Sequence, residues 1–461
     1  MEELIYASAT ALAQAIRAKE VSSQEVVDAY LERIEVVNPR LNAVVQLRSD
    51  EAREEARVAD MSLARGEVIG PLHGVPITIK DSLDRAGVIS TGGTKGRQSF
   101  VPSQDATVVG RLRAAGAILL GKTNTPELTL SVETDNLVYG RTNNPYDATL
   151  TPGGSSGGAA SIIAAGGSPL DLGSDTGGSI RQPAHFCGIA GIKPTSGRVP
   201  ITGHIISFDV GALDGVTQIG PMARFVEDLA LTLPIISGVD WRDPTVVPMP
   251  LGDPQAVDLK KLHAAFYTDN GAVSPTPQTI EVVHAAAAVL SEAGVTIEED
   301  RPPELESAVG LWMQLAVADG AAWIRKLLQE AGTTEVHPVL ERRFFVHEPV
   351  SSAEFNRLLT RLGRLRSAML SFLQPYDVII CPVNAYPAMS HESAIEKAIG
   401  WTYTRVYNLT GWPAAVVRGG TSPESLPIGV QIVTRPWRED VALAVAQYLE
   451  TALGGWAPPP F

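Results

Sequence analysis

The chain has 461 residues, 44% of them hydrophobic, and a formal net charge of −14, which is typical of a large folded protein rather than a disordered one. The acidic balance and the lack of a basic run with interleaved aromatic residues argue against nucleic-acid binding. The apolar runs are too short to span a membrane, and the start MEELIYASAT is unlike a signal peptide. Cys187 and Cys381 form no CxxC pair, so we expect no disulfide framework or zinc site, and a reducing cytoplasm fits best.

The first predicted elements are helices. Apolar residues from Leu12 to Ile34 recur at helical spacing, residues 22–25 are typical of a capped helix start, and a charged helix follows at about residues 49–65. From residue 70 to about residue 238, short strands, glycine-rich loops and helices alternate. This alternation favours a single large α/β unit.

The second half of the chain continues the same pattern without a true linker or an internal repeat. A Pro-rich connection at residues 241–254 leads to a strand, a helix and another strand, and helices then dominate residues 304–373. A last strand region precedes a closing helix at residues 439–449. We therefore expect an α/β fold, a single-domain α/β/α sandwich over residues 1–461 with a large mixed, twisted β-sheet flanked by helices.

Two short motifs match familiar patterns but lack the context that those patterns need. Residues 116–123, GAILLGKT, match a nucleotide-binding P-loop, yet four apolar residues occupy the loop interior, which must be polar and open. Residues 153–157, GGSSG, match a nucleophile elbow, yet the residues before them do not read as a strand. We therefore expect neither nucleotide binding nor an α/β-hydrolase. The histidines show no metal-ligand spacing such as HExxH, so we expect no metal.

Two Gly-Gly-Ser units, at residues 153–155 and 177–179, are the most unusual feature of the chain. Consecutive glycines let several backbone N–H groups converge on one point, as an oxyanion hole requires, although two tight turns would also account for them. Lys80 ends an apolar strand, where a desolvated amine can lose its proton and serve as a base for serine. A salt bridge to Asp81, or a side chain that reaches solvent, is the alternative for Lys80.

Lys80, the sequence GGSSGG at residues 153–158 and the sequence DTGGSIRQPA at residues 175–184 together resemble the amidase signature family. The resemblance extends over essentially the whole chain. It implies a hydrolase of the amidase signature fold that needs no cofactor. It also implies N-terminal helices, a signature core and a C-terminal part that covers the substrate, at residues 1–69, 70–238 and 239–461.

By this resemblance Ser179 is the nucleophile, Ser155 is the bridging serine that follows a cis peptide bond, and Lys80 is the base. The family also implies an oxyanion hole, substrate contacts and a pair that supports the nucleophile loop. The residues in these roles are Thr176, Gly177, Gly178 and Ser179 for the oxyanion, Ser131, Gly153 and Gly154 for the substrate, and Asp175 and Arg181 for support. An ordinary surface ion pair is the alternative for Asp175 and Arg181. His185, near the nucleophile loop, is given a structural role.

Three kinds of family member remain: a free-standing amide hydrolase, the glutaminase subunit of a tRNA-dependent amidotransferase, and an inactive binding scaffold. The intact lysine and serine set argues against the scaffold. Ser196 stands where the glutaminase subunit has Tyr, and residues 211–214 replace its Ser-Ser-Leu-Asp run. We therefore favour a free-standing cytoplasmic hydrolase, monomeric or homodimeric, that acts through a serine acyl-enzyme.

The expected substrate is a small, neutral and largely apolar amide, anilide or carbamate (urethane), with no nucleic-acid or membrane partner. The net charge disfavours anions at long range, and late aromatic residues offer apolar walls. Arg405 and Arg418 stand against this preference, since either could point inward and select a carboxylate. The candidate walls are Trp312, Trp323, Trp401, Tyr403 and Trp412, although core packing is the more frequent explanation for an isolated Trp on a helix.

Overall fold

A computed structural model of the protein describes residues 2–208 and 210–460. Its strands are β1 (Val44–Leu47), β2 (Pro76–Lys80), β3 (Ile118–Thr123), β4 (Leu170–Asp175), β5 (Ala190–Lys193), β6 (Gln218–Ala223), β7 (His263–Phe266), β8 (Thr296–Glu299), β9 (Val378–Pro382), β10 (Ala414–Thr421) and β11 (Pro427–Thr434). The helices of the first half are α1 (Glu2–Tyr6), α2 (Ala9–Arg17), α3 (Ser23–Leu41), α4 (Ser49–Ala64), α5 (Thr107–Ala114), α6 (Gly157–Ala164), α7 (Arg181–Cys187) and α8 (Val226–Ile236). Those of the second half are α9 (Pro277–Glu292), α10 (Leu305–Ala316), α11 (Ala322–Ala331), α12 (Pro338–Phe344), α13 (Ser352–Phe372), α14 (His391–Glu396), α15 (Thr402–Thr410) and α16 (Glu439–Leu453).

The strands form a large mixed sheet and a small one. Across the described residues, the large sheet has eight strands in the order β4-β6-β5-β10-β11-β9-β7-β8, and the small sheet has the order β1-β3-β2. Strand β7 runs parallel to β8 and β9, whereas the other pairs of the large sheet are antiparallel. The two sheets meet where Thr78 Oγ1 on β2 donates a hydrogen bond of 2.6 Å to Asp171 Oδ2 on β4.

Helices cover both faces of the large sheet, because successive side chains of a strand point to opposite sides. On β9, Ile380 packs into an apolar core with Leu31 of α3 and Leu449 of α16. Its neighbour Ile379 packs into a second core with Leu365 of α13. The expected α/β/α sandwich with a large mixed sheet is therefore confirmed.

The N-terminal segment begins as predicted and then departs from the prediction. Ser22 and Glu25 form a reciprocal capping box at the start of α3: Glu25 N–H donates to Ser22 Oγ at 3.1 Å and Ser22 N–H donates to Glu25 Oε2 at 2.8 Å. Residues 1–69 form the expected helices, but they also contain a strand that was not expected, since β1 pairs antiparallel with β3. Strand β1 is short and forms because it pairs with the edge of β3, so no sequence pattern of its own marks it.

Both halves of the chain contribute to the large sheet. Strand β5 of the first half pairs with β10 of the second, with Ile192 opposite Ala415. None of the helices in residues 2–208 and 210–460 is both long enough and apolar enough to cross a membrane.

The apparent P-loop is a strand. Gly121 and Lys122 lie within β3, and the Lys122 side chain is buried. Its Nζ donates to Leu83 O and Ser90 Oγ, both at 2.7 Å, and lies 3.4 Å from Asp81 Oδ1. A strand cannot form the open loop that cradles a phosphate, so Lys122 has a structural position.

Candidate active site

Lys80 lies at the end of β2, and its side chain is completely buried. Its Nζ is 2.6 Å from Ser155 Oγ and 2.9 Å from both Ser156 Oγ and Ser174 Oγ. Neither alternative for this lysine holds, because these hydroxyl groups enclose it and the ion pair of Asp81 is with Lys122. The amine is therefore surrounded by neutral partners.

This environment favours the uncharged amine. Burial lowers the pKa of Lys80 to about 7, although the carboxylates of Asp175 and Asp171 act in the opposite direction. Burial also raises the pKa of Asp171 to about 7, which weakens its support for a positive charge nearby. Near neutral pH a substantial fraction of Lys80 is thus available to accept a proton.

Ser155 lies next to Lys80 in a loop that leaves no room for side chains. The Gly154–Ser155 peptide bond is cis, as the family resemblance implies. A Cβ atom on Gly154 would approach Ser131 O to 2.9 Å, so this glycine permits the loop to touch the segment around Ser131. Gly153 is fixed by hydrogen bonds through both its N–H and its carbonyl group.

The loop that carries Ser179 lies beside the Ser155 loop. Ser156 N–H donates to Ser179 O at 3.2 Å, which joins the two Gly-Gly-Ser units. Ser179 and Gly177 are half-buried and face a cavity. Of the amide groups expected to bind an oxyanion, that of Gly178 already donates to Asp175 Oδ1 at 2.7 Å. Within the described ranges, no hydrogen-bond acceptor contacts the N–H groups of Thr176, Gly177 and Ser179.

Asp175 and Arg181 form a buried ion pair under this loop, not a surface pair. Arg181 Nε and Nη2 donate to the two carboxylate oxygens of Asp175 at 3.0 and 2.9 Å, and Asn408 Nδ2 donates to Oδ1 at 2.8 Å. Burial alone would raise the pKa of Asp175, but the Arg181 charge and these hydrogen bonds outweigh it and hold the pKa well below its usual range. The carboxylate therefore stays ionised and can bind the Gly178 amide.

Two residues from the second half of the chain hold the carbonyl groups of the nucleophile loop. Trp312 Nε1 on α10 donates to Thr176 O at 2.8 Å, and Thr404 Oγ1 on α15 donates to Gly177 O at 2.9 Å. Gly178 has a φ of +123°, and a Cβ there would meet Thr404 Oγ1 at 2.3 Å. The loop is thus anchored through two successive carbonyl groups.

The cavity in front of Ser179 is narrow, with a volume of about 30 Å³. Ser131 contributes to its wall, as expected for a substrate contact. The lining residues are Thr129, Leu130, Ser131, Val132, Thr176, Gly177, Ser179, Trp312, Arg343, Phe344, Trp401 and Arg405. A second cavity shares Val132, Arg343 and Arg405 with it and leads outward past apolar side chains of α10 and α14.

Comparison with known proteins identifies the family of the chain. The family model described as Amidase matches residues 25–443. The chain belongs to the amidase family. It is 36% identical over 487 residues to fatty-acid amide hydrolase 2-B of Danio rerio, in an alignment that covers 99% of this chain and 91% of that relative.

Two further similar proteins are an amidotransferase subunit and an aryl acylamidase. The chain is 35% identical over 480 residues to the A-type subunit of the glutamyl-tRNA(Gln) amidotransferase of Moorella thermoacetica, with 97% of each protein covered. The structure of a bacterial aryl acylamidase superposes with a TM-score of 0.88 at 27% identity, covering 97% of this chain and 96% of that one. The protein is thus an amidase-signature enzyme that acts on an amide C–N bond.

Of the five aromatic residues expected to wall this amidase's cavity, Trp312 and Trp401 do so, together with Phe344, which was not expected. The expectation is wrong for the other three, which pack in the apolar core of the helical part. These are Trp323, Tyr403 and Trp412. Sequence alone could not separate the two groups, since a large aromatic side chain is suited equally to a core and to a pocket.

Arg405 and Arg418 differ in position. The Arg405 side chain is buried and lines the cavity, whereas Arg418 binds the backbone oxygens of Gly420 and Gly455 outside it. Arg343, which the sequence did not single out, joins Arg405 in the wall. The cavity of the amidase is therefore not the neutral, apolar space that the sequence favoured, because two guanidinium groups face it.

His185 has the structural position that was expected. Its Nε2 is 2.9 Å from Tyr386 O, and its Nδ1 accepts the Gly429 N–H at 2.8 Å. The residues that sequence reasoning missed around Lys80 are Ser156, Ser174 and His204, whose Nε2 lies 3.0 Å from Ser174 Oγ. Ser156 and Ser174 adjoin recognised motifs and could have been noticed, but no local signal marks His204.

Proposed function

We propose that the enzyme hydrolyses small linear amides or carbamates through an acyl-enzyme on Ser179, with Ser155 as the proton relay and Lys80 as the base. The observation that carries this proposal is the 2.6 Å contact between the buried Lys80 Nζ and Ser155 Oγ, next to the loop that bears Ser179. A neutral amine in contact with Ser155, whose loop is hydrogen-bonded to the loop of Ser179, is the arrangement that a two-serine relay needs.

The relay first moves protons away from Ser179 and then back toward the leaving group. Lys80 accepts the proton of Ser155 Oγ while Ser155 accepts that of Ser179 Oγ, and the Ser179 oxygen forms a bond to the substrate carbonyl carbon. Ser155 then gives its proton to the leaving nitrogen as the C–N bond breaks, and Lys80 returns a proton to Ser155. Water attacks the acyl-enzyme by the same route, which releases the acid and restores Ser179.

The negative charge on the carbonyl oxygen needs donors already in place. The amides of Thr176, Gly177 and Ser179 are the candidates that have no other partner in the described chain, and each is worth about 3 kcal/mol of transition-state stabilisation. Gly178 was expected to be a fourth donor. We assign it instead a positioning role, because its amide is bound by Asp175.

A labelling experiment tests this assignment. Treatment with a fluorophosphonate should add one adduct, detected by intact-protein mass spectrometry and mapped to Ser179. The Ser179→Ala variant should lose the adduct, whereas Ser131→Ala, a change in the same cavity, should keep it. An adduct that persists in Ser179→Ala would contradict the assignment of the nucleophile.

The glutaminase subunit of an amidotransferase is the second candidate, because the Moorella thermoacetica relative matches along nearly all of both chains. The two functions differ in what the isolated chain does. A free-standing hydrolase, monomeric or homodimeric, turns over a panel of aryl and alkyl amides, anilides and carbamates by itself. Turnover restricted to glutamine, and dependent on added partner subunits, would favour the second candidate.

A further inference from the structure

We propose that the substrate carries a carboxylate a few bonds from the scissile carbonyl, and that Arg343 and Arg405 bind this carboxylate. The inference narrows the proposed amide-hydrolase function to one class of substrate and rests on that function. It concerns the two guanidinium groups in the wall of the Ser179 cavity.

Arg405 is buried and Arg343 is half-buried, and the two differ from the other arginines that the fold withdraws from solvent. Arg181 pairs with Asp175, Arg198 pairs with Glu439, and Arg224 donates to the backbone oxygens of Ile163 and Ser168. In the described part of the chain, Arg343 and Arg405 have neither an ion-pair partner nor a hydrogen-bond acceptor; their contacts are with aromatic rings. Cations withdrawn from water without an acceptor are costly, so the positions call for an anion from outside the chain.

Arg343 and Arg405 place two positive charges in the wall of one cavity. Burial, and then the neighbouring Arg343, lower the pKa of Arg405 to about 9, and burial lowers the pKa of Arg343 to about 10. Both guanidinium groups therefore remain protonated at neutral pH, and each opposes the other. An anion between them relieves the repulsion and supplies the missing acceptors. The net charge of −14 does not cancel this effect, because salt screens distant charges within about 10 Å.

The location of Arg405 sets the distance from the reacting bond. A Cβ atom built on Gly177 would lie 3.7 Å from Arg405 Cγ and 3.6 Å from the Trp312 ring. Arg405 Cζ lies 5.6 Å from the centre of that same ring. Since the Gly177 amide is a proposed oxyanion donor, the guanidinium group reaches an anion only a few bonds from the scissile carbonyl.

A planar carboxylate suits this site, because guanidinium groups bind carboxylates through two parallel hydrogen bonds. The cavity, about 30 Å³ in volume, is also small, which favours a short chain between the carboxylate and the amide. The simplest members of this class are monoamides of short dicarboxylic acids. Their diamides have nearly the same shape but carry no charge, and they are the matched neutral compounds.

The test compares malonamate with malonamide and succinamate with succinamide. Binding to the Ser179→Ala variant is measured by calorimetry, and kcat/KM is measured with the otherwise unchanged enzyme. Each monoamide should bind at least about 10-fold more tightly than its diamide, because a hydrogen bond to a charged group contributes that much or more. Arg405→Met and Arg343→Met should each reduce this preference by about 10-fold or more. Arg405→Lys, which keeps the charge, should retain part of it.

Arg418→Met is the control, since it removes the same charge outside the cavity and should leave the preference unchanged. Circular dichroism and thermal melts verify that the variants fold. Equal binding of monoamide and diamide, or a preference that survives in both Arg405→Met and Arg343→Met, overturns the inference. If the preference appears in binding but no amide is hydrolysed, the carboxylate site stands and the proposed amide-hydrolase function fails.

Discussion

At the scale of single residues, Lys80 has no counter-ion in contact with it among the described residues, and the proposed chemistry depends on this. Three serine hydroxyl groups lie within 2.9 Å of Lys80 Nζ, and neither Asp175 nor Asp171 is hydrogen-bonded to it. A carboxylate in direct contact would keep the amine protonated and remove its ability to act as a base. The hydroxyl groups position the amine without fixing its charge.

We therefore expect activity to require deprotonation of Lys80. Because burial lowers the pKa of this lysine to about 7, kcat/KM should rise roughly tenfold per pH unit below pH 7 and level off above about pH 8. Lys80→Ala should lower kcat by about 10²- to 10⁴-fold. The measurement is a pH profile from 5 to 9 on a single amide.

Asp171→Asn provides the accompanying control. The Asp171 carboxylate raises the pKa of Lys80, so its removal should move the acid limb of the profile to lower pH. A profile that is flat from pH 5 to 9 would count against a lysine base, and an acid limb that does not move in Asp171→Asn would show that another group titrates.

Sequence motifs identified the residues proposed to be catalytic, but they did not identify both of the arginines proposed to bind the substrate. Lys80, Ser155 and Ser179 lie in distinctive glycine-rich or strand-end contexts, so their sequence neighbours identify them. Arg343 lies within a helix whose sequence resembles any charged, exposed helix, and no local pattern shows that its side chain lines the cavity. Such positions follow from tertiary packing, which a single sequence does not specify.

At the scale of elements, two parallel strands carry a buried lysine each, on opposite faces. In the pairing of β2 with β3, Lys122 lies opposite Ile79, and Lys80 lies opposite Thr123. Side chains alternate along a strand, so Lys122 shares the face of Ile79 and points away from the serines that surround Lys80. One lysine can therefore be neutral for catalysis while the other pairs with Asp81.

We expect Lys122→Met to lower the stability of the fold without changing the pH dependence of activity. The change leaves the buried Asp81 without its partner, which should lower the free energy of unfolding by about 3–5 kcal/mol. The folded variant should keep the acid limb of its pH profile. Urea denaturation and the pH profile measure the two effects.

Lys261→Met is the matched control for a lysine at the surface, where the ion pair with Asp258 is exposed and should contribute about 1 kcal/mol or less. If Lys122→Met were as stable as the unchanged enzyme and yet inactive, Lys122 would have a catalytic role that the strand register does not allow.

At the scale of the whole molecule, the two halves of the chain are joined through the sheet and through a buried ion pair. Arg198 Nη2 lies 2.9 Å from Glu439 Oε2 at the start of α16, and Glu439 also accepts the Thr195 N–H. The element pattern predicted the sheet-and-helix layers correctly because periodicity reports burial. It could not predict the strand order, since β5 and β10 are separated by more than two hundred residues.

We expect the chain to unfold in one cooperative transition in differential scanning calorimetry. The central strands of the large sheet come from both halves, so neither half can bury its apolar faces alone. Arg198→Met should lower the free energy of unfolding by about 3–5 kcal/mol and move the transition to lower temperature without splitting it. Two separate transitions, one for each half, would contradict this expectation.

The anchors of the nucleophile loop restrict how specificity in this enzyme can be altered. Trp312 is at once a wall of the cavity and the donor that holds Thr176, and Thr404 holds Gly177 from the helix that carries Arg405. If α10 or α15 were replaced by the corresponding helix of a relative with another substrate range, the cavity wall and the hydrogen bond that holds the Ser179 loop would change together. Residues 70–238 should therefore not keep the geometry of the Ser179 loop when they are combined with the helices of another relative. Active chimaeras should be those that retain the indole at position 312 and the hydroxyl at position 404.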